Sequence, residues 1–94
     1  MNQDELKSLQ QNVSLHRSEG KYKEAIEASY HLLKCGIEVN DYKSMLIAHM
    51  NNAASYYCIG DIKEAFHSIE AYDQLCDIYG DDEDYLGLYN VLFL

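Results

Sequence analysis

A short motif that occurs twice, forty residues apart, constrains the fold of this chain most. Gly20-Lys-Tyr-Lys-Glu-Ala25 aligns without a gap with Gly60-Asp-Ile-Lys-Glu-Ala65. A glycine can adopt the left-handed conformation that ends a helix, and Asp61 can cap the helix that follows. A self-match at a period of about 20 to 50 residues is typical of stacked repeats. The motif therefore predicts two helical hairpins, each of which turns at its glycine.

Hydrophobic periodicity predicts four long helices, over residues 3–19, 21–37, 41–59 and 61–79. The third is apolar on nearly all sides, so we expect it in the middle, packed against the second and the fourth. Ala53 and Ala65 are small residues at positions where two helices must come close. In the fourth helix we expect a buried stripe that consists of Ile62, Ala65, Phe66, Ile69, Tyr72, Leu75, Cys76 and Tyr79. Between the second and third helices, Asn40 or Asp41 is the expected cap.

The end of the chain combines an acidic run with an apolar segment. The acids at positions 81–84 suit the first turn of a helix, because carboxylates stabilise the positive end of the helix dipole. A calcium loop would spread its ligands over about twelve residues, which contiguous acids do not do. We therefore expect a fifth helix, and apolar patches of this size are rarely left bare. Either the chain is the front part of a longer protein, or it self-associates through Leu86, Leu88, Val91, Leu92 and Phe93.

The formal net charge of −9 is spread unevenly along the chain. Residues 1–63 hold eight acids and all seven Lys and Arg, which sum to −1, whereas residues 64–94 hold eight acids and no Lys or Arg, which sum to −8. An acidic surface repels phosphate backbones, so nucleic acid is not an expected partner. The acidic half either keeps the protein in solution or offers a docking face for a basic partner.

Length and composition favour one small domain in the cytoplasm. With 94 residues and 48% hydrophobic residues, the chain can fold as a single unit. It has no apolar run long enough for a membrane span and does not begin with a signal peptide. We therefore expect no membrane partner, and we expect Cys35, Cys58 and Cys76 to be reduced, buried or half-buried thiols.

The histidines and cysteines do not form a recognisable reactive site. His31 and Cys35 have i,i+4 spacing and share a helix face, but a zinc site needs three or four ligands in a compact set. A Cys–His nucleophile pair would need a third, orienting group, and no residue marks one. We expect no metal site, no cofactor and no catalytic residues, and the chain is predicted not to be an enzyme.

The pattern Asn51-x-Ala53-x-x-Tyr56-x-x-x-Gly60-Asp61-x-x-x-Ala65 resembles the tetratricopeptide repeat. In that family, two antiparallel helices pair through small residues and turn at a Gly-Asp pair. The repeat here is about 40 residues long instead of about 34 and lacks the terminal proline. In these two respects it is similar to the divergent, long-helix repeats of bacterial regulators. The resemblance implies an all-α fold of antiparallel helical hairpins, stacked as a right-handed superhelix of about five helices. It places the repeats at about residues 6–40 and 46–80, with a partial third repeat at 82–94.

The resemblance also implies a binding surface, because the first helix of each pair lines the concave groove in this family. The groove-facing residues would be Ile47, Met50, Asn51, Ala54 and Tyr57. Asn51 matches an asparagine that bonds an extended ligand in peptide-binding members, and an amide has the donors and the acceptor that a peptide bond requires. Asn51→Ala would then weaken binding and leave the melting temperature nearly unchanged. Alternatively, Asn51 bonds a neighbouring helix or water.

Two functions follow as expectations from this resemblance. The first is a non-catalytic interaction module that binds a protein or peptide segment in the concave groove. The alternative is an N-terminal regulatory, sensor or dimerisation segment of a larger bacterial signalling protein, similar to peptide-pheromone receptors or to the input segments of diguanylate cyclases. In that case the chain would be a homo-oligomer or would be joined to a further C-terminal domain.

Overall fold

The computed structural model describes residues 2–79, which form four α-helices and no strand. The helices are α1 (Gln3–Ser18), α2 (Tyr22–Glu38), α3 (Tyr42–Cys58) and α4 (Ile62–Tyr79). The all-α prediction is confirmed, and every predicted helix boundary lies within one residue of the observed one. The predicted fifth helix, which would begin the third repeat, lies outside the described residues.

The three turns between these helices are built in the same way, at intervals of twenty residues. Gly20, Asn40 and Gly60 adopt left-handed conformations with φ of 77°, 55° and 85°. In each turn, the N–H of the following residue donates to a carbonyl five positions earlier, at 2.8–2.9 Å. This bond satisfies a carbonyl that the helix end would otherwise leave without a partner. Asparagine can take the place of glycine because it tolerates a positive φ better than most residues.

Aspartate side chains begin α3 and α4. Asp41 accepts a hydrogen bond from the backbone N–H of Ser44 at 3.2 Å, and Asp61 accepts one from the N–H of Glu64 at 3.3 Å. Both contacts satisfy N–H groups of a first helical turn. The predicted cap at Asp61 is confirmed, and of the two residues considered for α3, Asp41 is the cap.

Helix α3 is central, as predicted, and contacts α1, α2 and α4. Helix α1 also packs on α2, whereas no Cα atom of α4 lies within 8 Å of a Cα atom of α1 or α2. Helices α2 and α3 approach each other closely at Gly36, where an added Cβ would lie 3.1 Å from the Cβ of Ser44. The fold is therefore two hairpins that meet through α3.

Two hydrophobic clusters stabilise the fold, one on each side of α3. The first joins α1, α2 and α3 and consists of Leu6, Val13, Leu32, Cys35 and Ala48. The second joins α3 and α4 and consists of Leu46, Tyr72 and Cys76. Ala53 and Ala65 are both buried, which agrees with the expected use of small residues where helices come close.

The buried stripe of α4 is narrower than predicted. Its buried residues are Ala65, Ser68, Tyr72 and Cys76, flanked by the half-buried Ile69 and Leu75. Ile62, Phe66 and Tyr79 were expected in the stripe, but they are exposed, with 59% of Phe66 accessible. The reason is that α4 rests on α3 alone among the described helices, so that one neighbour covers only a small part of its circumference.

No disulfide bond joins any two of Cys35, Cys58 and Cys76. Cys35 and Cys76 are buried as expected, whereas Cys58 is exposed, because it is the last residue of α3 and lies beside the turn. Among residues 2–79, none of the helices has both the length and the apolar composition that a membrane span requires.

Candidate functional site

An open groove of about 620 Å³ runs between α1 and α3. Six of its lining residues come from α1 and two from α3: Gln10, Gln11, Ser14, Leu15, Arg17, Ser18, Lys43 and Ile47. Two amides and two hydroxyls are among them, so the groove has donors and acceptors along its length. Its walls combine hydrogen-bonding groups with the apolar side chains of Leu15 and Ile47, a composition that suits an extended peptide.

The charge of this groove is opposite to that of the whole chain. Among the described residues that line it, Arg17 and Lys43 are the only charged ones, and both are cations. None of these described lining residues is an acid, although the chain as a whole has a formal charge of −9. Electrostatic complementarity therefore favours a negatively charged occupant.

Asn51 holds Arg17 in position from beneath the groove. The Nε–H of Arg17 donates to Oδ1 of Asn51 at 2.7 Å. The Nδ2 of Asn51 donates in turn to the backbone carbonyl of Ile47 at 2.8 Å, and Asn51 is fully buried. Because Arg17 Nε is engaged, the terminal Nη groups remain as the donors that can reach a ligand.

A second hydrogen bond joins α1 to α3 seven residues earlier. Nε2 of Gln10 donates to Oγ of Ser44 at 2.9 Å, and the Ser44 hydroxyl donates to the carboxylate of Asp41. This bond and the Arg17–Asn51 bond both join residues that are 34 positions apart in sequence. Helices α1 and α3 are therefore held in one register, and the walls of the groove are fixed at two points.

The predicted binding residues of α3 do not share one surface. Ile47 lines the groove, whereas Met50 packs against the cluster of α3 and α4. Ala54 is buried, and Tyr57 is exposed but is not among the residues that line the groove. The expected direct contact between Asn51 and a ligand conflicts with the burial of this residue. The predicted self-association residues, Leu86, Leu88, Val91, Leu92 and Phe93, lie outside the described residues.

Sequence reasoning missed the contribution of α1 to the groove. Arg17, Gln10 and Ser14 come from this helix, and Lys43 from the first turn of α3 was missed as well. A signal was present for Arg17, since it is the only arginine of the chain, and arginine is the residue best suited to bind carboxylates with two parallel hydrogen bonds.

We predict that Asn51→Ala lowers the free energy of unfolding by about 1–3 kcal/mol. The substitution removes a buried hydrogen-bonding group and leaves Arg17 Nε without its partner, so this geometry predicts a lower melting temperature instead of the nearly unchanged one expected from the sequence. Urea unfolding of the variant and the wild type measures the difference. Asn12→Ala, at an exposed position of α1, is the control. Equal stability of all three proteins would contradict the role assigned to Asn51.

A second, smaller pocket of about 130 Å³ lies between α2 and α4, on another face of α3. Its lining residues are Tyr30, His49, Asn52, Glu64, His67, Ser68 and Ala71. Nδ1 of His67 lies 3.5 Å from the carboxylate of Glu64, and the hydroxyls of Tyr30 and Tyr56 are 3.0 Å apart. Burial lowers the pKa of His49 from its ordinary value of 6.5, so this ring is neutral at physiological pH.

The lowered pKa of His49 predicts a loss of stability in mild acid. The unfolded chain binds a proton on His49 more readily than the folded chain does, so the contribution of this ring is complete above about pH 6.5 and declines as the pH falls towards the lowered pKa. We expect the wild type to lose more stability than His49→Gln between about pH 7.5 and about pH 5. Urea unfolding at the two pH values measures this, with His31→Gln, at an exposed position, as the control. Parallel losses in the wild type and His49→Gln would contradict the prediction.

Within the described part of the chain, no group of three or more His, Cys, Asp and Glu side chains is arranged to hold a metal ion. The pair that the sequence singled out is adjacent, with Nε2 of His31 lying 3.9 Å from Sγ of Cys35. No hydrogen bond that orients this histidine is among the contacts of the described residues, so the pair lacks the third group that a nucleophilic site requires.

Comparisons of the chain with protein-family models, with curated proteins and with solved structures each found no match.

Proposed function

We propose that this chain is a non-catalytic interaction module that binds an acidic segment of a partner protein in the groove between α1 and α3. The observation that carries the proposal is Arg17, a cation on the groove wall whose orientation is fixed by the buried Asn51. Among residues 2–79, no carboxylate lies within ion-pair distance of it. A partner carboxylate would therefore meet a positioned guanidinium that no acid of the described fold neutralises.

The same proposal includes the finer architecture. The two hairpins, with matching left-handed turns at Gly20 and Gly60, agree with a tetratricopeptide-like stack. In such a stack, α1 and α3 are the first helices of their pairs and line the concave side. Their contact with each other and their shared register support this assignment within residues 2–79.

The geometry also defines how an acidic side chain would bind. With Nε engaged by Asn51, the end of the Arg17 guanidinium offers its two Nη groups, which match the two oxygens of a carboxylate. Lys43 lies on the opposite wall of the groove and adds a second positive charge. The amides of Gln10 and Gln11 are suited to hydrogen bonds with the backbone of an extended segment.

A fluorescent octapeptide rich in Glu and Asp, compared with its Gln and Asn counterpart, tests the proposal by fluorescence anisotropy. We expect saturable binding of the acidic peptide only. Lys43→Gln should weaken it about three- to fivefold, the effect of a solvent-exposed ion pair. Arg17→Gln should weaken it about tenfold or more, because charge-assisted hydrogen bonds are lost.

Lys23→Gln is the matched control, since Lys23 is exposed on α2 and does not line the groove. This variant should bind the acidic peptide as the wild type does. Urea unfolding of each variant separates a loss of binding from a loss of folding. Equal affinity for the acidic and the neutral peptide, or equal effects of Lys43→Gln and Lys23→Gln, would overturn the proposal.

A further inference from the structure

The pocket between α2 and α4 contains a buried polar atom that has no partner within residues 2–79. Asn52 lines this pocket and is only 1% exposed, yet its Oδ1 accepts no hydrogen bond. An amide oxygen removed from water without a donor costs about 1–3 kcal/mol. A hydrogen-bond donor that enters the pocket and reaches this oxygen would therefore make a contact that residues 2–79 do not supply.

The other polar groups of the pocket also favour a donor that carries positive charge. Glu64 contributes a carboxylate, Ser68 and Tyr30 contribute hydroxyls, and no Lys or Arg is among the lining residues of this described pocket. The pKa of the neighbouring Tyr56 is raised, first by burial, then by its hydrogen bond to Tyr30, and further by the negative charges of Glu64 and Asp61. The carboxylate of Glu64 is the one acidic group among the described lining residues, and it favours a positively charged occupant.

The size of the pocket limits what can enter. A volume of about 130 Å³ holds a few water molecules or the head group of a basic side chain, but not a larger ligand.

From these contacts we infer that the pocket is a binding site for a guanidinium or ammonium group. The cation donates to Oδ1 of Asn52 and to the carboxylate of Glu64. This site lies on a face of α3 different from that of Ile47 and Asn51, so the inference does not depend on the acidic-peptide groove. The free cation and a partner's Arg or Lys side chain share this chemistry.

Titration of the ¹⁵N-labelled protein with methylguanidinium chloride, followed by NMR, tests the inference. We expect saturable shifts of the side-chain amide signals of Asn52 and of the backbone signals of Ser68 at millimolar concentrations. N-methylurea has a similar shape without the charge, and tetramethylammonium has the charge without N–H donors. Neither of these two compounds should shift the NMR signals of the Asn52 side-chain amide. Shifts of equal size with all three compounds would overturn the inference. The absence of any shift with methylguanidinium would also overturn it, because water alone would then occupy the pocket.

Two variants and two peptides complete the test. Glu64→Gln should weaken methylguanidinium binding about three- to fivefold, as expected for a partly exposed charge. Glu70→Gln, at an exposed position of the same helix outside the pocket, should leave it unchanged, and equal effects of the two variants would refute the assignment. The last comparison uses an arginine tripeptide and its citrulline analogue. If the arginine tripeptide binds more tightly than methylguanidinium and the citrulline analogue does not bind, the natural ligand is a side chain of a partner protein. Equal affinity of the tripeptide and methylguanidinium identifies a free cation.

Discussion

Replacing Tyr72 with alanine is expected to lower the free energy of unfolding by about 3–5 kcal/mol. Tyr72 is 2% exposed and is the largest of the fully buried side chains. It packs with Leu46 and Cys76 in the cluster that joins α4 to α3. Removal of the ring leaves a cavity at the only helix contact that α4 makes within the described fold. Small domains have total stabilities of about 5–15 kcal/mol, so the variant should lose a large fraction of its stability.

Urea unfolding followed by far-UV circular dichroism measures this effect. Tyr57→Ala is the matched control, since Tyr57 is 59% exposed at the end of α3, and substitutions at such positions change stability by about 0.5 kcal/mol or less. If the two variants were equally stable, Tyr72 would not be the residue that holds α4 in place.

The second large effect is expected at Gly36, where Gly36→Val should cost about 2–3 kcal/mol. A Cβ at this position already lies 3.1 Å from the Cβ of Ser44, and 3.4 Å from the carbonyl oxygen of Asp41 and the backbone nitrogen of Met45. The two further methyl groups of valine would meet backbone that cannot move aside easily, so α2 and the start of α3 would have to separate.

Gly36→Ala separates crowding from helix propensity. Alanine gains about 1 kcal/mol over glycine in a helix interior, which offsets the single tight contact, so this variant should lie within about 1 kcal/mol of the wild type. Thermal or urea unfolding of both variants gives the difference. A valine variant as stable as the alanine variant would show that α2 and α3 are not in close contact at Gly36.

The helices could be predicted from the sequence because several of their ends have a local signal. Gly20 and Gly60 mark helix ends through their backbone freedom, and Asp61 marks a helix start. The equivalent role of Asn40 was less evident, since asparagine occurs at caps, in turns and on surfaces alike. The exposure of Phe66 could not be read from periodicity, which shows that a face is apolar but not how many helices cover it.

The candidate groove could be predicted only in part, for a related reason. Asn51 was identified from its position in the repeat, but its role depends on Arg17, which comes from another helix. Helical periodicity assigns each residue to a face of its own helix. It does not determine the axial offset between α1 and α3. This offset decides which side chain of α1 lies next to Asn51.

Among the helices of residues 2–79, α4 contacts α3 alone, and this has a consequence for the order in which these helices open. A brief detachment of α4 would leave the bundle of α1, α2 and α3 intact, so its amide protons should exchange with solvent ahead of those in the other helices. The groove between α1 and α3 would remain intact during this local opening, whereas the pocket that contains Glu64 and Asn52 would be lost. A cation bound in this pocket would therefore slow hydrogen exchange of the α4 amides. An acidic peptide bound between α1 and α3 would leave the exchange rate of these amides unaltered.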